Sequence, residues 1–294
     1  MDIISQTVQD IKSLKIQGAT NIVKTSLNAL SVWSSEEKTF SINDFKKKAE
    51  SLYKARPTEP FVTNVLIWTI KKLEGTGLEK TKDVLEEQKK YLQEITEKII
   101  DIGASSLEGK KIILTHCHSS NVEEIIKRLH KKDNTIEVFA TITEPLHQGE
   151  ITAKNLSEFG VKVTMITDGE AAFMISHEDN QKINVVLIGA DVILKDGSVI
   201  NKVGSYGIAL SAGNANIPLY VIASLLKFTP DEIKIEERNG NEIWDNPPKG
   251  VKIFNPAFDK VPEKFITGII TEEGIIKPNK VEETVRNLYP WIFT

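Results

Sequence analysis

The sequence predicts an α/β protein: a helical N-terminal domain over residues 1–105, then a domain over 106–294 built on a doubly wound, mainly parallel sheet. Two observations carry this. Through the first 105 residues apolar side chains recur at three-to-four spacing, whereas from Lys111 short β-branched runs alternate with helix-like segments. The helical spacing is clear at Ile11 and Leu14, at Ile22, Val23, Leu27 and Leu30, and from Leu78 to Ile102. The strands that follow are IILT, IEVFATI, VKVTMIT, NVVLIG and LYVIA, with Val122 to His130 and Ala153 to Phe159 as helices among them. Doubly wound sheets bind ligands outside the carboxyl ends of their strands. The candidates are therefore the residues that end the runs: Thr115-His116-Cys117-His118-Ser119, Thr141 to Gln148, Asp168, and Gly189-Ala190-Asp191.

Composition narrows the class. A chain of 294 residues is long enough for one large domain or two smaller ones, and the change of pattern near residue 105 favours two. There is one cysteine, no apolar stretch of membrane-spanning length, and a polar, amphipathic start, MDIISQTVQDIKSL. These features lead us to expect a soluble, cytoplasmic protein. The 37 basic residues are dispersed among 41 acidic ones for a net charge of −4, so neither a nucleic-acid face nor a membrane surface is expected. The 17 glycines and 11 prolines stand singly at element ends, and no internal repeat or low-complexity tract interrupts the chain.

The stretch ILTHCHSS, residues 113–120, carries the cysteine between two histidines. If 113–117 is extended, His116 and His118 point to one face and Cys117 to the other, which disfavours three ligands on one metal. The other histidines, His130, His147 and His177, have no partner spacing that would complete a zinc site, so no metal is expected. Two readings of the thiol stay open. Free cysteine is often buried and inert, but a strand's carboxyl end beside a helix N-terminus favours the thiolate and predicts reactivity at neutral pH. Ser119, Ser120 and Asn121 suit the cap of that helix. Asp191, directly after VVLIGA, is either a turn aspartate or a partly desolvated acid fitted for proton transfer. Downstream, Asp196-Gly197 predicts a tight hairpin leading to Asn201 and Lys202, a pair able to hold a phosphate or a sugar hydroxyl.

The motifs ILTHCHS, QGEITAKNL, VKVTMITD, GADVIL, GSVINKVGS and FNPAFDKVPEKFITGIITEEGII carry a resemblance over nearly the whole chain. Together they resemble the family that unites ribose 1,5-bisphosphate isomerase, methylthioribose-1-phosphate isomerase and the alpha, beta and delta regulatory subunits of eukaryotic initiation factor 2B. The likeness is greatest to the archaeal ribose 1,5-bisphosphate isomerases. It implies a helical domain followed by a Rossmann-like domain, assembly as a homodimer or homohexamer, and no cofactor. The family's catalytic cysteine and aspartate fall on Cys117 and Asp191, with Asp191 serving sugar oxygens and Cys117 the carbons through an enediolate-like intermediate. Substrate-binding positions fall on Gln17, Gly18, Ala19, Arg56 of ARPTEP, Ser119, Ser120, Asn201 and Lys202. The resemblance also implies a possible AMP effector, and it leads us to expect the apolar stretch Phe254 to Ile276 in or near a dimer interface.

Three departures remove positive charge. Gln17 stands where the isomerases carry arginine, Ser120 stands where the archaeal HCHSK has lysine, and Glu144 stands for arginine after the second strand. A charged hydrogen bond to phosphate is worth about 1.5–3 kcal/mol, and a carboxylate beside a dianion repels it. All three positions are expected to line the pocket, with Lys110, Lys111, Lys154 or Lys202 as replacements. Two functions follow from this balance. One is an aldose–ketose isomerase of ribose 1,5-bisphosphate or a related ribose 1-phosphate. The other is a non-catalytic regulatory subunit with a translation-factor partner, its pocket kept to sense a nucleotide or sugar phosphate. Methylthioribose phosphate fits less well, because the HCN and arginine motifs of that group are absent.

Overall fold

Capping side chains set where the first helices begin. In the computed structural model, which describes residues 2–37, 39–176 and 182–293, Asp2 accepts from the Ser5 N–H at the start of α1 (Ile3–Lys12). Gly18, with φ +81°, opens α2 (Ala19–Glu36), and a Ser41–Asp44 capping box opens α3 (Ile42–Tyr53). Pro60 occupies the first position of α4 (Pro60–Thr76), where its missing N–H costs nothing. The long α5 (Thr81–Ser106) is the last helix before the first strand.

The α/β part follows in order: β1 (Ile112–His116), α6 (Ser120–Lys132), β2 (Glu137–Thr141), α7 (Gln148–Glu158), β3 (Lys162–Ile166), α8 (Glu170–Ser176) and β4 (Val185–Gly189). A hairpin of β5 (Val192–Leu194) and β6 (Val199–Lys202) leads to α9 (Ser205–Asn214), then β7 (Leu219–Ile222) and β8 (Phe228–Thr229). After a long irregular segment come β9 (Phe258–Val261), β10 (Gly268–Thr271), β11 (Gly274–Ile276) and α10 (Val281–Leu288). All five predicted strands are present, as β1, β2, β3, β4 and β7. They form a seven-stranded sheet in the order β11-β10-β7-β4-β1-β2-β3, parallel except for the β10–β11 hairpin. A second, four-stranded sheet, β8-β5-β6-β9, stands beside it.

Strand periodicity explains the layers. Within β1, Ile113 packs to one side with Val122 and Ile125 of α6 and Ile99 of α5, while the next residue, Leu114, joins the core of the N-terminal helices. In β4, Val185 and Leu187 take the first side and Val186 and Ile188 the second. One apolar core therefore holds the helices of the first hundred residues against one face of the sheet. The edge strand β3 is largely exposed, and Met165 is half-buried at best.

The C-terminal expectation changes. Ile269, Ile270 and Ile276 are buried as strand residues of the central sheet and Phe258 is buried in β9, so most of the stretch Phe254 to Ile276 is interior rather than interface. Only Phe254 and Ile275 among its large apolar residues are exposed. Exposed apolar side chains are spread over other elements, among them Met165 on β3, Phe173 on α8, and Tyr206 and Leu210 on α9. Among the described residues no helix is long and apolar enough to cross a membrane.

Candidate active site

The strand order reverses between β1 and β4, which pair in parallel with His116 opposite Ile188. A crevice opens at such a switch point because the connections from the two strands leave in opposite directions. Here the crevice is a cavity of about 600 Å³. Its floor holds Cys117 after β1 and Gly189, Ala190 and Asp191 after β4. From the hairpin come Asn201 and Lys202 at the end of β6, both buried. The helical part supplies Gln17, Gly18 and Ala19 at the start of α2, with Arg56 ahead of α4. Ser119 and Ser120 complete the sequence-predicted set, all ten of which line this one cavity.

Three helix N-termini converge there: Gly18 to Asn21 of α2, Glu59 ahead of α4, and Ser119 to Asn121 of α6. Their unpaired amides make a ready environment for an anion. Ser119 is the N-cap of α6, but its hydroxyl makes no capping bond. Basic side chains reinforce the field, with Lys15, Arg56, Lys202, Lys227 and Arg238 in the lining against the carboxyls of Glu59 and Asp191.

Cys117 differs from its expected geometry. The strand ends at His116, and Cys117 has a left-handed backbone with φ +66°, so the two histidines do not share one face of an extended strand. The Cys117 N–H donates to Thr143 Oγ1 at 2.9 Å, and Thr143 itself has φ +67°. His116 turns inward: Nδ1 lies 2.7 Å from Thr141 Oγ1 and Nε2 lies 2.9 Å from the Val203 carbonyl. Burial lowers its pKa, so it is a neutral tie between β1, β2 and the turn into α9. Gly204 must be glycine there, because a Cβ would come within 3.0 Å of the His116 ring and the residue has φ +106°. His118 reaches Thr152 Oγ1 at 3.0 Å and is also held neutral by burial.

Burial also decides the state of the thiol. It pushes the Cys117 pKa up to about 11, with Lys202 lowering it and Asp191 raising it again. This runs against the expected thiolate at neutral pH: desolvation outweighs Lys202 and the His118 N–H, which lower the pKa.

Several further expectations are corrected. Glu144 lies outside the cavity; its exposed carboxylate reaches His147 Nε2 at 3.2 Å, because the turn after β2 points it to solvent. Asp168 serves that same turn, its carboxylate accepting from the Thr143 and Glu144 N–H groups at 2.8 Å each. Lys110 and Lys111 precede β1 at the opposite end of the sheet, and Lys154 sits on α7 by Glu158. Of the four proposed replacements only Lys202 lines the cavity. His130 and His147 lie outside the lining, and His177 falls outside the described residues.

The sequence reading missed Glu59, Lys15, Lys227 and Arg238. Lys227 was within reach of the same rule, since it follows the run LYVIA that becomes β7. Arg238 comes from the irregular segment before β9, where no periodicity marks it. The NPAFD motif does have a structural account: Asp259 accepts from the N–H groups of Gly204 at 2.8 Å and Tyr206 at 3.1 Å, anchoring the start of α9.

Comparison with known proteins follows the same lines. The model of the initiation factor 2 subunit family matches residues 15–278. The chain is 34% identical to ribose 1,5-bisphosphate isomerase of Methanocaldococcus jannaschii, an alignment that covers 99% of this chain and 97% of that protein. It is 33% identical to methylthioribose-1-phosphate isomerase of Heliobacterium modesticaldum, over 92% of this chain and 87% of that one. Among solved structures, the translation initiation factor eIF-2B of Pyrococcus horikoshii OT3 superposes with a TM-score of 0.82 at 26% identity, covering 94% of this chain and 98% of that one.

Proposed function

The chain belongs to the initiation factor 2 subunit family, and from that premise we propose that it is a sugar phosphate isomerase whose substrate is ribose 1,5-bisphosphate. One observation carries the proposal: Cys117 and Asp191 follow adjacent parallel strands on the two sides of the switch point and line one cavity with Asn201, Lys202 and Arg56. The similarity to the archaeal isomerase over the full chain supports the bisphosphate over the methylthio sugar.

A ribose phosphorylated at carbon 1 needs two proton movements, one at a ring oxygen to open the ring and one between carbons 2 and 1. Asp191 exchanges protons with the oxygens. Cys117 serves the carbons, and because a thiol with a raised pKa holds its proton at rest, that proton must leave before the sulfur accepts the one from carbon 2. Asp191, close enough to raise the thiol's pKa, is the neighbouring acceptor. Lys202 and the helix termini hold phosphate oxygens, and Asn201, whose amide donates to Ser205 Oγ at 2.8 Å, presents its carbonyl oxygen to a sugar hydroxyl. AMP acts as an effector, and the chain assembles as a homodimer or homohexamer with the exposed apolar Leu210 of α9 at the contact.

The test is turnover of purified protein with ribose 1,5-bisphosphate and with methylthioribose 1-phosphate, each with and without AMP. Conversion of the bisphosphate alone is the expected result. Binding of either sugar or AMP without conversion would replace this reading with the regulatory one.

A further inference from the structure

Glu59 is paired with Arg56 through one carboxyl oxygen only, and the other oxygen has no partner. The residue is 2% exposed, lines the cavity, and stands at the N-cap of α4 without making a capping bond. Its Oε2 is buried with no hydrogen-bond partner. The other oxygen lies 3.7 Å from Arg56 Nε, which itself lacks a hydrogen bond, while the far side of that guanidinium donates to Glu236 at 3.3 Å. A buried, unpaired carboxyl oxygen costs about 1–3 kcal/mol, and on a residue that lines a cavity a bound molecule can satisfy it.

We propose that Glu59 is a third acid–base group of the site, holding a proton on Oε2 and donating it in a hydrogen bond to a substrate oxygen beside Asp191. The proposal rests on the reading that the cavity takes a sugar phosphate. It deepens that reading by assigning the part of the cavity beside Glu59 and Asp191 to hydroxyl or ring oxygens of the sugar.

The surroundings agree. Burial and the Asp191 carboxyl raise the Glu59 pKa to about 8, against the opposing charges of Arg56 and Lys227, and Glu236 adds to the rise. The α4 amide dipole favours the anion and works against burial. In its protonated form the group is a donor. The resulting arrangement gives the cavity two carboxyls with different duties, one of them a resident proton donor.

Two measurements test this. In the first, the pH dependence of kcat/KM for ribose 1,5-bisphosphate is taken for the wild type, E59Q and E59A. The wild type is expected to lose activity above about pH 8, E59Q to lose that alkaline limb because its amide still donates, and E59A to fall at least tenfold at pH 7 and further than E59Q. An alkaline limb that persists in E59Q, or equal losses in E59Q and E59A, overturns the proposal. The second readout needs no turnover. In protein labelled with carbon-13 at glutamate carboxyls, the resonance missing from E59Q, or from E59D should E59Q not fold, is expected to titrate near pH 8. Titration below pH 5 overturns the proposal whatever the substrate, whereas titration near pH 8 without bisphosphate turnover leaves the Glu59 assignment standing and removes the substrate assignment.

Discussion

The backbone N–H of Cys117 donates to the hydroxyl of Thr143, and both residues hold left-handed backbone, so two uncommon conformations at the ends of β1 and β2 stabilise each other. A β-branched residue at positive φ is strained, and the surrounding bonds must over-determine it. Thr143 meets that condition: it is fully buried, its N–H is held by Asp168, and its hydroxyl also lies 3.2 Å from Thr141 Oγ1. We expect Thr143→Val to cost about 1–3 kcal/mol by leaving the Cys117 N–H unpaired. Thr143→Ser, which keeps the hydroxyl, is the control. Equal urea midpoints for the two variants would show that the bond does not hold the thiol in place.

The thiol itself should be sluggish. Because burial raises its pKa to about 11, alkylation by iodoacetamide is expected to stay slow at pH 8 and to rise toward pH 11, unlike that of a free thiol. Lys202 lowers this pKa, so Lys202→Met should move the alkylation profile to still higher pH. A profile centred at or below pH 8.5 would contradict the burial argument.

Proton transfer predicts a different signature at the second strand end. Asp191→Asn keeps the shape and removes the proton carrier, so kcat should fall by about two to four orders of magnitude, the range of general acid–base catalysis, with KM little changed. A large rise in KM with kcat preserved would make Asp191 a binding residue only.

Charge placement separates Glu144 from Lys202. Glu144 is outside the cavity and exposed, so Glu144→Arg should alter the calorimetric Kd for ribose 1,5-bisphosphate by less than about twofold, as expected of a solvent-screened charge. Lys202 is buried in the lining, and Lys202→Met should weaken binding at least tenfold, equivalent to about 1.4 kcal/mol or more. The reverse order would mean that the turn after β2 folds over the ligand.

Assembly is tested at Leu210. The exposed apolar side chains Met165, Tyr206 and Leu210 predict a dimer or larger species of wild type by light scattering at micromolar concentration, and Leu210→Glu should shift it toward monomer. A wild type that is monomeric throughout removes the proposed interface.

By itself the sequence determined the helical N-terminal region, the five parallel strands, and the ends of those strands as places to look for a site. Those features depend on local periodicity, which a single stretch such as NVVLIG displays whatever its neighbours do. Cys117, Asp191, Asn201 and Lys202 were legible for the same reason, since each stands at or near the end of a strand. Only the tertiary structure decided which of them share a cavity with Gln17 and Arg56, because strand order and the packing of the helical part on one sheet face are long-range relations. The strands β9, β10 and β11 were equally hidden: their apolar residues suit an exposed interface until partners at β6 and β7 bury them. The state of the thiol belongs to this second group as well. A strand end beside a helix N-terminus favours a thiolate, yet the desolvation of Cys117 depends on residues far along the chain, and it raises the pKa. Glu59 follows the same logic, for a carboxyl between Thr58 and Pro60 reads as an ordinary helix start until the fold buries it beside Asp191.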